Sequence, residues 1–510
     1  MSFHRIRQSF RRIRHTPEDS PKPPPPREIE IPERPYRILI TGGVGHLAKC
    51  LRHKIEEKYK NEIRALLQDY HHAKFARENH LGQMGKSLRR RKKQMIATEI
   101  ERETNNLLKK WVFFVLIDII NPPNSNNLGE HVAYMESKFE DESKMKTALQ
   151  NVTVVYHLAA VGMTGRYARD RQICVRTNST ATTNLVSWAR TAGVQRFIYA
   201  SSVGVIFQGL PLINATERDT PYPHEHYNFY CESKAQAEEI VSKGTGPDMK
   251  TAIIRFSGIY GPGEKRVTQR VVDFMKTGFW IGLSMENGVE AQTQLSSVAN
   301  CVQGLMKIDE KLPDPHIAGG RIYHIVDREV CGTFSFWAPI NRALGFPDPY
   351  IVMPPWVLRC IAWICQTLAD RYDFDPFVSV LEVDLLTITN TYSIARAERD
   401  LGYDPEPSPI AEIIAEHCSE VNTPEWQWQL KKVRWQQIFL FWVVVPIGLA
   451  LIVWMFWPHS LFAVIGAAFL KLWVSYLGKW VGEIFEQVRA IGANLPVQVD
   501  GGDGAVVELD

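Results

Sequence analysis

Cysteine is scarce and scattered: eight residues in 510, with no Cys-x-x-Cys pair. That argues against a zinc ribbon or a disulfide scaffold and fits a reducing compartment. No charge sign dominates, since 59 Lys and Arg against 56 Asp and Glu leave a net charge of only +3. The whole chain is therefore not a polycation built for nucleic acid. Mean hydropathy is −0.18, too low for a chain that is membrane-embedded throughout. The first 35 residues lack the apolar core of a secretory signal. What is present, 45% apolar and 23% charged residues, excludes a wholly disordered or collagen-like chain. At roughly 150 residues per domain, the length implies two to four units.

These averages conceal an uneven layout. Residues 1–35 are arginine-rich and end near the prolines Pro23–Pro26, which reads as a disordered basic tail with a polyproline-like linker. Folding is expected to start at Arg37-Ile-Leu-Ile-Thr41, a β-rich apolar run. It leads into Gly42-Gly-Val-Gly45 and a helical pattern at Leu47, Cys50, Leu51 and Ile55. Glu62–Leu67, closing with Asp69, reads as the second strand. Residues 71–110, with the block Arg89-Arg-Arg-Lys-Lys93, read as an exposed, partly helical basic insert after it. Further strands are expected at Val112–Ile117 (followed by Asp118), Val152–Tyr156, Arg196–Ala200 and Thr251–Arg255. Strands alternating with helices predict an α/β fold, a Rossmann-type doubly wound parallel sheet over 36–262. A smaller C-terminal substrate lobe is expected over 263–425.

The end of the chain differs in kind. Ile438–Trp457 is 20 residues without a charge, rimmed by aromatic residues and preceded by Lys431, Lys432 and Arg434. As a helix it would be about 30 Å long, the thickness of a bilayer's hydrocarbon, with a basic flank on the cytoplasmic side. Leu461–Gly478 is a second apolar stretch, either a span or an interfacial helix. Residues 436–480 are thus expected to form a membrane anchor of one or two helices, and 481–510 a tail. Pro354–Cys365, apolar with a single Arg, reads either as an interfacial segment near substrate entry or as a core helix of the small lobe.

Three constellations carry chemistry. In Thr41-Gly-Gly-Val-Gly-His-Leu-Ala48 a tight turn opens a helix, which brings backbone N–H groups against a pyrophosphate. Gly42 and Gly45 are the permissive positions and Ala48 stands where a third glycine is usual. Asp69, 24 residues beyond Gly45, falls near the spacing of a carboxylate that binds the ribose hydroxyls of NAD, and NADP stays open because of the basic insert. In Tyr230-Cys-Glu-Ser-Lys234 the phenol and the ammonium share a helix face. A cation there is expected to draw the phenol's pKa down toward working pH. Ser202 ends a strand, where a hydroxyl points into the ligand crevice of a parallel sheet and can hold a substrate oxygen. No cluster suggests a metal.

In this order the motifs resemble the extended short-chain dehydrogenases/reductases, and within them the 3β-hydroxysteroid dehydrogenase/isomerase family. The pieces that carry the resemblance are Thr41–Gly45, Val155-Tyr-His-Leu-Ala-Ala160, Phe197–Ser202, Tyr230–Lys234 and Arg255-Phe-Ser-Gly-Ile-Tyr-Gly-Pro-Gly263. Later pieces are Tyr323–Val326, Leu385–Thr387, Tyr392–Ala395 and Leu401–Tyr403. The resemblance covers about residues 36–420. It implies Tyr230 as general acid/base, Lys234 as its electrostatic partner and ribose ligand, and Ser202 as the oxygen-positioning donor. It further implies Gly42, Gly45, Asp69, Asp118 (near the adenine) and Ala159 along the dinucleotide. The expected activity is oxidation of the 3β-hydroxyl of a steroid or sterol by hydride transfer to NAD, coupled either to double-bond isomerisation or to C4 decarboxylation. The expected partners are that substrate and the lipid bilayer, at the endoplasmic reticulum with the catalytic domain cytoplasmic; nucleic acid is not expected, and a homodimer is left open. The alternatives are an extended dehydrogenase for a nucleotide-sugar or another alcohol, and a non-catalytic NAD-binding membrane scaffold.

Overall fold

The structure, a computed structural model, describes residues 29, 31–78, 86–120, 128–163, 165–277, 282–283, 290–346, 352–372, 374–376, 378–419, 421 and 423–439. Among them, seven parallel strands form the main sheet: β1 (Tyr36–Thr41), β2 (Val112–Asp118), β3 (Val132–Glu136), β4 (Val154–His157), β5 (Arg196–Ser202), β6 (Lys250–Phe256) and β7 (Arg321–Ile325). Their spatial order is β7-β6-β5-β4-β1-β2-β3. The order reverses between β1 and β4, the point where ligands bind at the carboxyl ends of such sheets.

The central strands are continuous apolar runs because helices cover both faces. Side chains alternate between the two layers. Ile38, Ile40, Phe114 and Leu116 face one buried core, and Leu39, Val115, Ile117 and Val155 face the other. The helices that frame the site are α1 (His46–Glu78), α2 (Lys86–Trp111), α3 (Glu142–Ala148), α4 (Ala181–Thr191), α5 (Phe229–Lys243), α6 (Val298–Lys311), α7 (Pro355–Tyr372) and α8 (Val380–Thr387).

Two expectations are corrected here. Glu62–Leu67 is not a strand but the continuation of α1. From His46 to Glu78 the chain has neither Gly nor Pro to stop a helix, and Leu51, Ile55, Ile63 and Leu67 form one buried row in steps of four. The second strand of the sheet is Val112–Asp118, which pairs with β1 from Tyr36↔Val112 to Thr41↔Ile117. The basic segment is accordingly part of the β1–β2 crossover: α2 packs against α1, and Arg90, Arg91 and Lys93 stand exposed on it.

The sheet also does not end at residue 262. β7 joins β6 in parallel, Arg321↔Ala252 to Ile325↔Phe256. The smaller lobe draws on both sides of the expected boundary, since its four-stranded sheet joins Leu212–Ala215 to Gln292–Thr293, Cys331–Gly332 and Asn390–Tyr392.

The chain divides into two units after Gln427. Of the second, the helical residues 428–439 are described. The expected anchor over 436–480 lies outside the described residues beyond Phe439, as does the tail over 1–28. Among the described residues no helix is long and apolar enough to cross a membrane.

Candidate active site

The glycine turn sits between β1 and the start of α1, at the reversal point of the sheet. Gly42 has φ +69°, and a Cβ there would lie 3.1 Å from both the N and the Cα of Ala159. Only glycine allows that backbone conformation together with so close an approach to the end of β4. The turn closes with Gly45 N–H donating to the Gly42 carbonyl at 2.9 Å. The N–H groups in the first turn of α1 have no intrahelical acceptors, and the helix dipole adds positive potential. This cradle fits a pyrophosphate.

Asp118 ends β2 directly beside it. Its Oδ2 accepts from Val44 N–H at 3.0 Å, and its Oδ1 accepts from Ile119 N–H at 2.8 Å. The end of the second strand is where a dinucleotide fold presents its ribose-binding carboxylate. Asp69 is not there. It is an exposed residue 23 positions along α1 from His46, hence about 34 Å down the helix axis from the turn. The spacing rule that selected Asp69 presumes a short crossover, whereas this crossover is a two-helix hairpin.

A buried polar relay fastens the floor of the cleft. Ala159 N–H donates to Thr41 Oγ1 at 3.2 Å, and Thr41 Oγ1 lies 2.7 Å from His157 Nδ1. His157 Nε2 lies 2.9 Å from Thr182 Oγ1, which itself donates to the Asn178 carbonyl at 2.5 Å. Because the Thr182 hydroxyl spends its proton on a carbonyl, it accepts from Nε2–H. Nδ1 therefore accepts from Thr41, and His157 is neutral. Burial holds it so, pushing its pKa down to about 3.

Tyr230 lies in the first turn of α5, whose start is capped by Asn228 Oδ1 accepting from Cys231 N–H at 2.9 Å. The phenol lies beside the Ser202 hydroxyl at the end of β5, which favours its ionised form. The structure thus brings Ser202 and Tyr230 together at the carboxyl edge of the sheet. Burial holds the phenol above its usual range, and the Ser202 hydroxyl and the Arg266 charge pull it back down.

Lys234 is 3% exposed, and its ammonium is engaged elsewhere. Nζ donates to the Ala200 carbonyl at 2.6 Å and lies 4.4 Å from the centre of the Tyr199 ring. Its own pKa is pushed down to about 7 by burial, with Glu238 pulling it up. The forces on the Tyr230 phenol are burial first, then Cys231 upward, Ser202 and Arg266 downward, and Cys174 upward.

One positioning residue escaped the sequence reading. Asn178 accepts from Val161 N–H at 2.9 Å through Oδ1 and donates to Ser233 Oγ at 3.0 Å through Nδ2. It bolts the loop after β4 to the helix that carries Tyr230 and Lys234. No spacing in the sequence links an isolated Asn to either partner. Among the described residues no group of His, Cys, Asp or Glu is placed to hold a metal ion.

Comparison with known proteins agrees with this geometry. A family model described as the 3-beta hydroxysteroid dehydrogenase/isomerase family matches residues 116–355. A Caenorhabditis elegans protein named 3beta-hydroxysteroid dehydrogenase/Delta(5)-Delta(4) isomerase 1 is 51% identical over 387 residues, covering 76% of this chain and 80% of that protein. The human short-chain dehydrogenase/reductase family 42E member 1 is 29% identical over 325 residues, covering 60% of this chain and 81% of its own length. Among solved structures, the dTDP-glucose 4,6-dehydratase of Streptomyces venezuelae with NAD and TYD bound aligns with a TM-score of 0.50 at 16% identity. It covers 77% of this chain and 99% of that one, and so shares the fold.

Proposed function

Because this chain belongs to the 3β-hydroxysteroid dehydrogenase/isomerase family and is an oxidoreductase, we propose that it oxidises the 3β-hydroxyl of a steroid or sterol with NAD as the hydride acceptor. The observation that carries the proposal is the meeting of Ser202 and the Tyr230 phenol at the carboxyl edge of the sheet, the edge at which the glycine turn also lies. Bound NAD supplies an electrophilic nicotinamide C4 that accepts hydride. Gly42, Gly45 and the first turn of α1 hold its pyrophosphate, with Ala159 along the cleft floor. Asp118, rather than Asp69, takes the ribose hydroxyls. Lys234, whose ammonium already lies at the end of β5 on the Ala200 carbonyl, would hold the second ribose.

In the reaction Tyr230 removes the hydroxyl proton as hydride leaves C3, and Ser202 donates a hydrogen bond to the same oxygen. The phenol must lose its own proton first. Its burial opposes that, so the charge of Arg266 and of a cationic nicotinamide are needed on the other side of the balance. Oxidation at C3 is the step common to both double-bond isomerisation and C4 decarboxylation. We further propose that Ile438–Trp457 spans the endoplasmic reticulum membrane, with the catalytic domain on the cytoplasmic side. The length of that uncharged run and the basic flank before it support this. A bilayer is where apolar sterols reside.

The test is turnover of 3β-hydroxysteroids by the detergent-purified full chain, followed by the absorbance of reduced NAD. Tyr230→Phe keeps the ring and removes the acid/base, so the rate should fall roughly 10²–10⁴-fold while NAD binding is unchanged. A Tyr230→Phe variant with wild-type turnover would overturn the assignment.

A further inference from the structure

The crossover from β1 to β2 holds more helix than the topology needs. About a dozen residues, one helix, are enough to join parallel neighbours, whereas this crossover carries α1 of 33 residues and α2 of 26. The Tyr59 ring meets the Tyr36 ring where β1 begins, with centroids 6.2 Å apart. Beyond Tyr59, α1 has therefore left the sheet at its amino edge. There Arg64 donates to Glu101 of α2 at 3.0 Å. α2 returns to that edge at Trp111, directly before Val112, the register partner of Tyr36. Arg91 precedes Glu101 by ten residues, about 15 Å along the helix. The start of α2 is thus remote from the catalytic residues at the carboxyl edge.

Burial on α2 follows one narrow row. Leu108, Thr104 and Ile100 are buried in steps of four, and the row fades into the half-buried Ile96. Of residues 90–99, eight are exposed, Met95 at 71%. Charge is segregated along the same helix. Six of the residues 86–93 are Lys or Arg and none is acidic, while the glutamates of α2 come later, at 99, 101 and 103. Glu101 and Glu103 are engaged by Arg64 and His71 of α1. Among the described residues no carboxylate pairs with Arg90, Arg91 or Lys93. Like charges three apart, as in Arg90 and Lys93, repel each other on a helix. α2 as a whole carries nine basic and three acidic residues, so its net charge of +6 exceeds the +3 of the entire chain. An uncovered face that repels itself is completed by an anion.

The residues around it select which anion. Residues 86–110 contain no Phe, Tyr, Trp or His, so no ring is present on which a nucleic-acid base would stack. Met95, one turn from Arg91, adds an exposed apolar side chain that fits the boundary beneath a headgroup. The uncharged run Ile438–Trp457 has its basic flank on the side where anionic phospholipids gather. We propose that the start of α2 is a binding site for anionic phospholipid headgroups, with Arg90, Arg91 and Lys93 meeting their negative charge. It is a second site, separate from the cleft, and it does not rest on the steroid reading. Three basic residues near an anionic leaflet favour the docked state by roughly 100-fold.

The test uses the full chain. Met95→Cys is labelled with an environment-sensitive fluorophore, and the unsubstituted chain labelled in parallel gives the background from its own thiols. Both are reconstituted in vesicles of phosphatidylcholine, with or without phosphatidylserine, and acrylamide serves as an uncharged quencher. Quenching should be strong in phosphatidylcholine and weak with phosphatidylserine. It should recover when salt is raised from about 0.1 M to 1 M, which shortens the screening length from about 10 Å to 3 Å. Adding Arg90→Gln, Arg91→Gln and Lys93→Gln together should abolish the difference between the vesicles. Equal quenching in the two would overturn the proposal, and equal quenching that falls when RNA or polyglutamate is added would assign the face to a macromolecular polyanion instead. Shielding already in phosphatidylcholine would mean that protein covers the helix and would overturn it equally. So would shielding by phosphatidylserine that survives the triple substitution. No turnover enters this readout, so loss of the steroid assignment and loss of the lipid site are told apart.

Discussion

Lys234 shows how far burial can move a single group. An ordinary lysine is charged at neutral pH, but here the side chain is enclosed beneath Tyr199 with one carbonyl as its acceptor, and its pKa falls from 10.5 to about 7. Between those two values the unfolded chain binds a proton that the folded chain does not. Raising the pH through that window therefore favours folding, by up to about 1.4 kcal/mol per pH unit for one group. In Lys234→Met, which keeps an apolar stem and removes the titration, the pH dependence over this window should flatten by that amount. Denaturant unfolding of both proteins at pH 7, 8 and 9 checks it. A stability difference that stays constant across the three would mean that the ammonium remains charged in the fold. That Tyr230 and Lys234 share a helix is legible from their spacing of four. The direction in which the ammonium points is not, because the carbonyl that holds it belongs to β5.

The element that carries the proposed ribose contact is the end of β2, where Asp118 lies beside the glycine turn. A sequence reader meets two aspartates after the glycine turn, and the usual spacing favours the first. The structure favours the second, because α1 runs uninterrupted through Asp69 and hands the strand position to Asp118. Asp118→Asn retains an acceptor for Val44 N–H but removes the charge. NAD affinity should drop roughly 10–100-fold, the worth of one hydrogen bond to a charged acceptor. Asp69→Asn should leave it unchanged. Fluorescence titration of both variants separates the two, and equal affinities would reject Asp118 as the ribose ligand. The error had a visible antidote in the missing Gly and Pro and in the four-residue step from Ile63 to Leu67.

For the whole molecule, the span proposed over Ile438–Trp457 predicts how the protein is attached. The full chain should resist alkaline carbonate extraction, as a spanning segment does. Truncation after residue 435 removes that run, and the truncated protein should be extracted by carbonate. A truncated protein that resists carbonate as the full chain does would reject the span.

The sequence by itself determined β1, β2, β4, β5 and β6. Each is a short apolar run whose own residues state that both faces are covered. The glycine turn, the strand-end position of Ser202 and the four-residue spacing of Tyr230 and Lys234 are likewise local patterns. Tertiary structure alone decided that Asp118 and not Asp69 borders the cradle, that Arg321–Ile325 completes the sheet, and that Asn178 joins two distant segments. It also decided that the apolar α7 turns its tryptophans outward. Each of these depends on which segments meet across tens or hundreds of residues. Periodicity states that a face is apolar, whereas only packing states what covers it.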